Sequence, residues 1–267
     1  SIKSGTYNRK EIESEIFPRM ISNKDFFSHG ISTFSWGKLF KKDLLINLQS
    51  DVPNSITLGE DTVVTYPFIA NSQSLAIVNE YLYFYRQRAK SMLKVTQEPT
   101  SEINKITFMI RFLSEQLEKV SSFDFSNQVK DYLVALSIIR TGAYLDKNDF
   151  IEGIFDLDLS NKKIVLFSSG AFGQQIYKNI NESSHNVIGW IDEDCFESKA
   201  LGLSVSPPKI IEELKPEIII IATLDISYYK KTIHKLEKHI KNKCEVIFPT
   251  LQKPFIRKYS KILLNEK

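Results

Sequence analysis

Two patterns of apolar positions divide the chain. Between about residues 100 and 145, apolar side chains recur every three or four positions without proline, which predicts helices. From residue 162 onward, continuous apolar runs alternate with amphipathic segments. The runs KIVLF, NVIGWID, EIIIIAT and CEVIF predict buried strands, and the segments between them predict helices. Strands that alternate with helices form parallel sheets, so this part of the chain is predicted to be α/β.

The N-terminal part has a less regular pattern. Apolar spacing predicts helices over residues 1–25 and 31–46. The apolar face of the second helix consists of Trp36, Leu39, Phe40 and Leu44. A loop rich in Ser, Pro, Asn and Gly then leads to a short helix, which Pro67 is expected to disturb unless it lies in the first turn. β-Branched and aromatic residues over 74–88 predict one or two strands.

Composition narrows the class of protein. A chain of 267 residues, with 42% apolar and 25% charged residues, predicts a globular protein of two domains. The net charge of +3 is spread along the chain, which argues against a nucleic-acid binder. The widely separated Cys195 and Cys244 predict free thiols in a reducing cytoplasm. No signal peptide is visible, and no apolar run approaches the ~18–20 residues of a membrane helix.

A glycine-containing turn follows the first strand of the α/β part, in KKIVLFSSGAFGQQIY (162–177). Against the dinucleotide fingerprint G-x-G-x-x-G, Ser168 stands at the first glycine position, and Gly170 and Gly173 hold the other two. Asp192 follows the second strand, at about the 20-residue spacing where an acid meets a ribose hydroxyl. Alternatively, the glycines only permit a tight turn and Asp192 is a solvated strand end.

The same part of the chain resembles a known group of domains. IVLFSSGAFGQQIYKNI, VIGWIDED, LGLSV and IIIIAT are similar to the small Rossmann-like domains of bacterial sugar-modifying enzymes. The N-terminal domains of acyltransferases that modify UDP-amino sugars are one example. The resemblance covers about residues 160–250. It implies a nucleotide or nucleotide-sugar site formed by Ser168, Ser169, Gly170, Gly173 and Asp192.

A pair of adjacent acids, Glu60 and Asp61, stands between a glycine and an apolar helical run in SITLGEDTVVTYPFIA (55–70). Adjacent carboxylates repel each other and are poor core residues. One interpretation is that they are first-turn acids, which the helix dipole favours. The other is that one of them is a general base, which an inverting transfer requires close to the attacking oxygen.

Three segments in order, FSWGKLFKKDLL, LGEDTVVTYPFI and YLYFYRQRAKSM, resemble the C-terminal half of family 2 glycosyltransferases of the GT-A fold. The similarity is greatest to those of bacterial capsule and cell-wall polysaccharide synthesis. It implies that Asp61, beside Glu60, is the general base toward an acceptor hydroxyl. The implied substrate-binding residues are Trp36, Lys38, Arg86, Arg88 and Ser91, the last three near the donor diphosphate. Trp36 is alternatively a packing residue, and only one of the two arginines, which alternate on a strand, can face the site.

One element of that family is missing. Its N-terminal half binds the nucleotide and a divalent metal through a D-x-D motif. Here Asp156-Leu157-Asp158 follows the acceptor segment instead, and we interpret it as loop. We therefore expect a C-terminal part of a longer glycosyltransferase, inactive alone, with Mg²⁺ or Mn²⁺ bound only by the full-length enzyme. No metal ligand is predicted in this chain.

The expected layout is a partial GT-A acceptor half (1–98), a helical connector (99–158), a Rossmann-like domain (159–250) and a basic tail (251–267). The expected partners are a nucleotide-sugar and a saccharide acceptor, without nucleic acid. The sequence leaves open whether the chain forms an oligomer and whether it makes a peripheral contact with the inner membrane surface. The alternative function is a non-catalytic binding or scaffold module of a polysaccharide-synthesis complex.

Overall fold

The computed structural model describes residues 2–23, 30–80, 82–83, 98–141, 159–182, 185–200, 202–250 and 253–265. The chain divides into two compact units. Unit 1 consists of Ser1–Arg86, Ile103–Leu136 and Arg257–Lys267, and unit 2 consists of Gln87–Glu102 and Ser137–Ile256.

Unit 1 opens with a strand that the sequence pattern does not predict. Strand β1 (Gly5–Asn8) pairs antiparallel with β2 (Ser74–Ile77). A helical segment follows β1 directly and runs through α1 (Arg9–Glu11), a π-helical turn (Ile12–Ile16) and a 3₁₀ turn (Phe17–Arg19). Asn8 begins it with a capping box, because its side chain and that of Glu11 each accept the other's backbone N–H. The predicted helix over 1–25 is therefore confirmed only from Arg9 to Arg19, and residues 24 and 25 lie outside the described residues.

The predicted helix over 31–46 is wrong in its first part. Helix α2 begins only at Lys42 and ends at Ser50. Gly37 has φ 79°, in the left-handed region, which interrupts a right-handed helix. Of the expected apolar face, Trp36, Leu39 and Phe40 therefore precede the helix.

Helix α3 (Glu60–Asn71) carries the acid pair and is confirmed as a helix. Pro67 lies inside it and is buried, yet the helix continues to Asn71. Its buried face includes Val63 and Tyr66, which belong to the core of unit 1. Two longer helices come later in the chain, α4 (Pro99–Val120) and α5 (Ser126–Thr141), as the helical spacing there predicts.

Unit 2 contains a parallel sheet, which confirms the predicted α/β class. Its four strands are β3 (Ile164–Phe167), β4 (Val187–Ile191), β5 (Ile218–Ile221) and β6 (Glu245–Ile247). The strand order is β4-β3-β5-β6, and every neighbouring pair is parallel. The central strands β3 and β5 are buried at every residue, which is why they appear in the sequence as continuous apolar runs.

The helices of unit 2 connect these strands. They are α6 (Ala171–Glu182), α7 (Cys195–Ala200), α8 (Ile211–Leu214, after a 3₁₀ turn at Pro208–Ile210) and α9 (Ile226–Leu236, continued by a 3₁₀ turn at Glu237–His239). The basic tail forms a further helix, α10 (Lys253–Leu264). None of the described helices is long and apolar enough to cross a membrane.

Candidate functional site

The strand order of unit 2 places a reversal of direction in the middle of the sheet. From β3 the chain moves to β4 on one side, and from β4 it passes over β3 to β5 on the other. Right-handed crossovers then put the connections on opposite faces of the sheet. In open parallel sheets of this kind, ligands bind beyond the carboxyl ends of the two strands where the direction reverses. Here those strands are β3 and β5.

The turn after β3 has an unusual backbone. Ser168 has φ 89°, a conformation that non-glycine residues seldom adopt. Its N–H donates to Ile191 O at 2.9 Å, and its carbonyl oxygen accepts from Trp190 Nε1 at 2.8 Å. Tyr177 stacks on the Trp190 ring with the centroids 4.3 Å apart. A serine can therefore stand at the position of the first fingerprint glycine, because two residues of β4 hydrogen-bond to its N–H and to its carbonyl oxygen and so hold the turn in place.

The two glycines of the turn do different things. A Cβ added at Gly173 would lie 2.2 Å from the carbonyl oxygen of Ser168, so only glycine permits this approach of α6 to the turn. A Cβ added at Gly170 would meet nothing nearer than Ser168 Oγ at 3.9 Å. Gly170 thus faces open space at the N-terminus of α6, where backbone N–H groups lack helical partners. Anion-binding turns in other proteins have this location and offer such N–H donors.

Asp192 stands at the end of β4, as the sequence predicts, and contacts the same turn. Its Oδ2 accepts the Ser169 N–H at 2.6 Å and the Ser169 hydroxyl at 2.7 Å. Its Oδ1 accepts the N–H of Asp194 at 2.9 Å. The half-buried carboxylate is therefore held in one orientation, and it occupies one N–H that a phosphate would otherwise receive.

Helix α7 adds a residue that the sequence pattern does not reveal. Ser198 is buried, and its Oγ lies 2.5 Å from Ser169 Oγ. Its hydroxyl is also 3.3 Å from the carbonyl oxygen of Asp194. Asp192, Ser169 and Ser198 thus form a continuous hydrogen-bonded chain from the strand end into the protein.

A tyrosine on α9 borders the same acids. Partial burial raises the pKa of Tyr228, and the carboxylate of Asp192 raises it further, with smaller contributions of the same sign from Glu193 and Asp194. Lys235, two turns later on that helix, donates to Glu193 at 2.8 Å, so this side of α9 faces the end of β4. The tyrosine ring remains 43% exposed.

In unit 1 the acid pair opens α3. Gly59 precedes the helix with φ 78°, and no side chain caps the helix there. Glu60 is exposed, whereas Asp61 is half-buried. The two adjacent acids therefore occupy different environments, and Asp61 is the one placed against other protein groups.

Lys38 is near Asp61. Burial lowers the pKa of Lys38, and the Asp61 carboxylate opposes that effect. The ammonium also donates a hydrogen bond to the carbonyl oxygen of Phe34. Two of the predicted site residues are thus brought within electrostatic reach of each other.

Trp36 belongs to an aromatic stack. Its ring lies 5.0 Å from that of Phe34 and 4.8 Å from that of Tyr83, measured between centroids, and both contacts are stacked. All three side chains remain exposed in part. Two stacked neighbours favour the packing role for Trp36 itself, while the outer rings leave aromatic surface open to solvent.

Several predicted residues cannot be placed. Arg86, Arg88 and Ser91 lie outside the described residues, and so does Asp156-Leu157-Asp158. Within the described parts of the chain, no group of three or more His, Cys, Asp or Glu side chains is arranged to hold a metal ion. The Mg²⁺ or Mn²⁺ that the resemblance to family 2 glycosyltransferases implies for a full-length enzyme stays a prediction.

No protein-family model, curated protein or solved structure matches the chain significantly. The resemblances to family 2 glycosyltransferases and to the domains of UDP-amino-sugar acyltransferases therefore remain predictions.

Two residues at the site in unit 2 are absent from the sequence-based set, Ser198 and Tyr228. Ser198 lies in DEDCFESKA, which has neither strand nor helix periodicity strong enough to predict α7. Tyr228 belongs to an amphipathic helix whose orientation over the sheet follows only from the strand order. Neither residue carries a local motif, so only the folded structure reveals them.

Proposed function

We propose that unit 2 is a Rossmann-like domain that binds a nucleotide or a nucleotide-sugar beyond the carboxyl ends of β3 and β5. The observation that carries the proposal is the coincidence of the glycine turn with the reversal point of the sheet. The N-terminus of α6 and the open side of Gly170 suit a phosphate. Asp192 suits a ribose hydroxyl, because an ionised carboxylate accepts hydrogen bonds.

Calorimetric titration tests this proposal. The ligands are NAD(H), NADP(H), UDP, UDP-sugars and S-adenosylmethionine. Asp192→Ala is expected to weaken the binding of the preferred ligand about 10- to 100-fold, the value of a hydrogen bond to a charged group. Gly173→Val should abolish binding, since its side chain would push α6 away from the turn. Ser204→Ala, at an exposed serine between β4 and β5, is the control. No binding below about millimolar concentration would favour the scaffold alternative.

We further propose that unit 1 contributes the saccharide acceptor site of a glycosyltransferase of polysaccharide synthesis. The supporting observation is the half-buried Asp61 near Lys38, beside partly exposed aromatic rings. In this proposal Asp61 takes the proton from the acceptor hydroxyl as that oxygen attacks the donor sugar. Lys38 would orient the carboxylate, and exposed aromatic surface would contact the apolar face of a sugar.

The matched pair of acids in α3 tests this role. In the glycosyltransferase that contains this segment, Asp61→Asn is expected to lower the rate by about 10²–10⁴, the usual contribution of general-base catalysis. Glu60→Gln, at the exposed neighbour, should change the rate little. Both variants should remain folded, because a first-turn acid contributes only about 0.3–1 kcal/mol. Equal rates in the two variants would assign Asp61 to the helix dipole alone.

A further inference from the structure

We propose that Asp192 accepts a single hydroxyl of the ligand, because the protein already occupies three of the four acceptor positions of its carboxylate. In this proposal Ser198 is the positioning residue that keeps the Ser169 hydroxyl bonded to Asp192. The inference rests on the proposed nucleotide site of unit 2. It specifies how that site would recognise a ribose.

The hydrogen bonds that Asp192 already accepts leave few acceptor positions free on its carboxylate. An ionised carboxylate offers about four lone-pair positions, two on each oxygen. Both positions on Oδ2 are taken, by the N–H and the hydroxyl of Ser169, at 2.6 and 2.7 Å. One position on Oδ1 is taken by the N–H of Asp194 at 2.9 Å. One position on Oδ1 therefore remains for a donor from the ligand.

The directions of these hydrogen bonds identify the role of Ser198. A carboxylate only accepts, so the single hydroxyl proton of Ser169 points to Asp192. In the 2.5 Å contact between the two hydroxyls, Ser198 must then be the donor, because its other contact, 3.3 Å to the carbonyl oxygen of Asp194, is longer than an ordinary O–H···O bond. Both serines are buried, with 7% and 6% exposure, which limits competition from water at their hydroxyls. Ser198 thus keeps the Ser169 hydroxyl aimed at Oδ2.

The consequence concerns the two adjacent hydroxyls of a ribose. A carboxylate with free positions on both oxygens can accept both hydroxyls at once. Here only one hydroxyl can bond to Asp192 while the three internal bonds persist. A phosphate on the ribose is disfavoured as well, because Glu193 and Asp194 follow Asp192 directly and all three are acids.

Deoxynucleotides test the number of hydroxyls that Asp192 accepts. UDP and ADP are each titrated by calorimetry beside their 2′-deoxy and 3′-deoxy forms. For the nucleotide that binds, we expect one deoxy form to lose about 10- to 100-fold in affinity and the other to stay within about threefold of the parent. Equal losses for the two forms, or no loss for either, would overturn the inference.

Variants of Ser198 test its positioning role. Ser198→Ala should reduce the difference between the two deoxy forms, because the Ser169 hydroxyl loses the hydrogen bond that it accepts and is then held less firmly against Oδ2. Ser198→Thr keeps a hydroxyl and should restore the difference, while Ser204→Ala should not change it. An unchanged preference in Ser198→Ala would show that Ser198 does not act through Asp192.

A measurement without ligand separates this inference from the proposed function. Amide hydrogen exchange followed by NMR reports the Ser169 N–H bond to Asp192. Ser198→Ala should speed that exchange roughly fivefold, the effect of losing about one hydrogen bond's stabilisation, and Ser204→Ala should not. Unchanged exchange overturns the role of Ser198. If neither UDP nor ADP nor any other nucleotide binds the wild-type chain, the proposed function fails and the single-hydroxyl claim fails with it.

Discussion

The contact between Gly173 and the turn after β3 leads to a quantitative prediction. Alanine at position 173 would place a methyl group 2.2 Å from the Ser168 carbonyl oxygen, whereas ordinary contacts begin near 3.4 Å. Helix α6 or the turn must therefore move by about 1.2 Å. The turn cannot move freely, because Ser168 is hydrogen-bonded to both Trp190 and Ile191.

The expected cost follows from these contacts. Overpacking typically costs about 1–3 kcal/mol, and one weakened hydrogen bond adds about 1 kcal/mol. Gly173→Ala should therefore lower the free energy of unfolding of unit 2 by about 2–4 kcal/mol. Gly170→Ala is a matched control three residues away. Its added Cβ enters open space and its φ is not positive, so it should be neutral or stabilise by up to about 1 kcal/mol.

Urea denaturation followed by tryptophan fluorescence measures this difference. The chain has two tryptophans, so a Trp36→Phe background leaves Trp190 as the reporter of unit 2. With a urea m-value of about 2 kcal/mol/M, the midpoint of Gly173→Ala should be about 1–2 M below that of Gly170→Ala. Equal midpoints would refute the close-approach argument. Gly170→Ala should instead weaken nucleotide binding, because its methyl group occupies the space proposed for a phosphate.

Three further predictions concern stability and reactivity. Arg140→Met should destabilise the protein by about 3–5 kcal/mol in chemical denaturation, because it removes the buried charge that lies 2.8 Å from the Glu102 carboxylate; adding Glu102→Leu should recover most of the loss. The pKa of Glu212 is lowered from 4.5 to about 2, mainly by a hydrogen bond from Lys241. The ionised Glu212 therefore stabilises the folded protein above pH 4.5, and this contribution is lost as the pH falls through about 2. The free energies of unfolding of wild type and Glu212→Gln, measured against pH, should accordingly converge at low pH and in high salt. Burial raises the pKa of Cys244 to about 11, so its alkylation by iodoacetamide, followed by mass spectrometry, should be slow at pH 8 and accelerate about tenfold per pH unit.

The α/β part was predictable because a strand that is buried on both faces of its sheet appears in the sequence as a continuous apolar run. Residues 164–167 and 218–221 are apolar without interruption, and both segments are central strands. The spacing from the glycine turn to Asp192 also predicted that the two would meet, and hydrogen bonds join them. The parallel sheet therefore followed from local pattern alone.

The aromatic segment of unit 1 shows where local pattern fails. Spacing suggested a helix through Trp36, but the left-handed Gly37 and the stacking with Tyr83 decide the conformation there. The partner ring is distant in sequence, so no helical template can include it. Ser198 was missed for the same reason, because its importance depends on hydrogen bonds to residues in other elements.

The composition of unit 1 from three separate stretches has a consequence for synthesis on the ribosome. The last of them, Arg257–Lys267, emerges after all of Ser137–Ile256. At about 5–20 residues per second, those roughly 120 intervening residues delay the completion of unit 1 by about 6–24 s. The later-encoded unit can thus finish folding before the one that begins the chain. A nascent chain held at the point where residue 256 has just emerged from the ribosome should accordingly protect β3–β6 from protease while its first 86 residues remain susceptible.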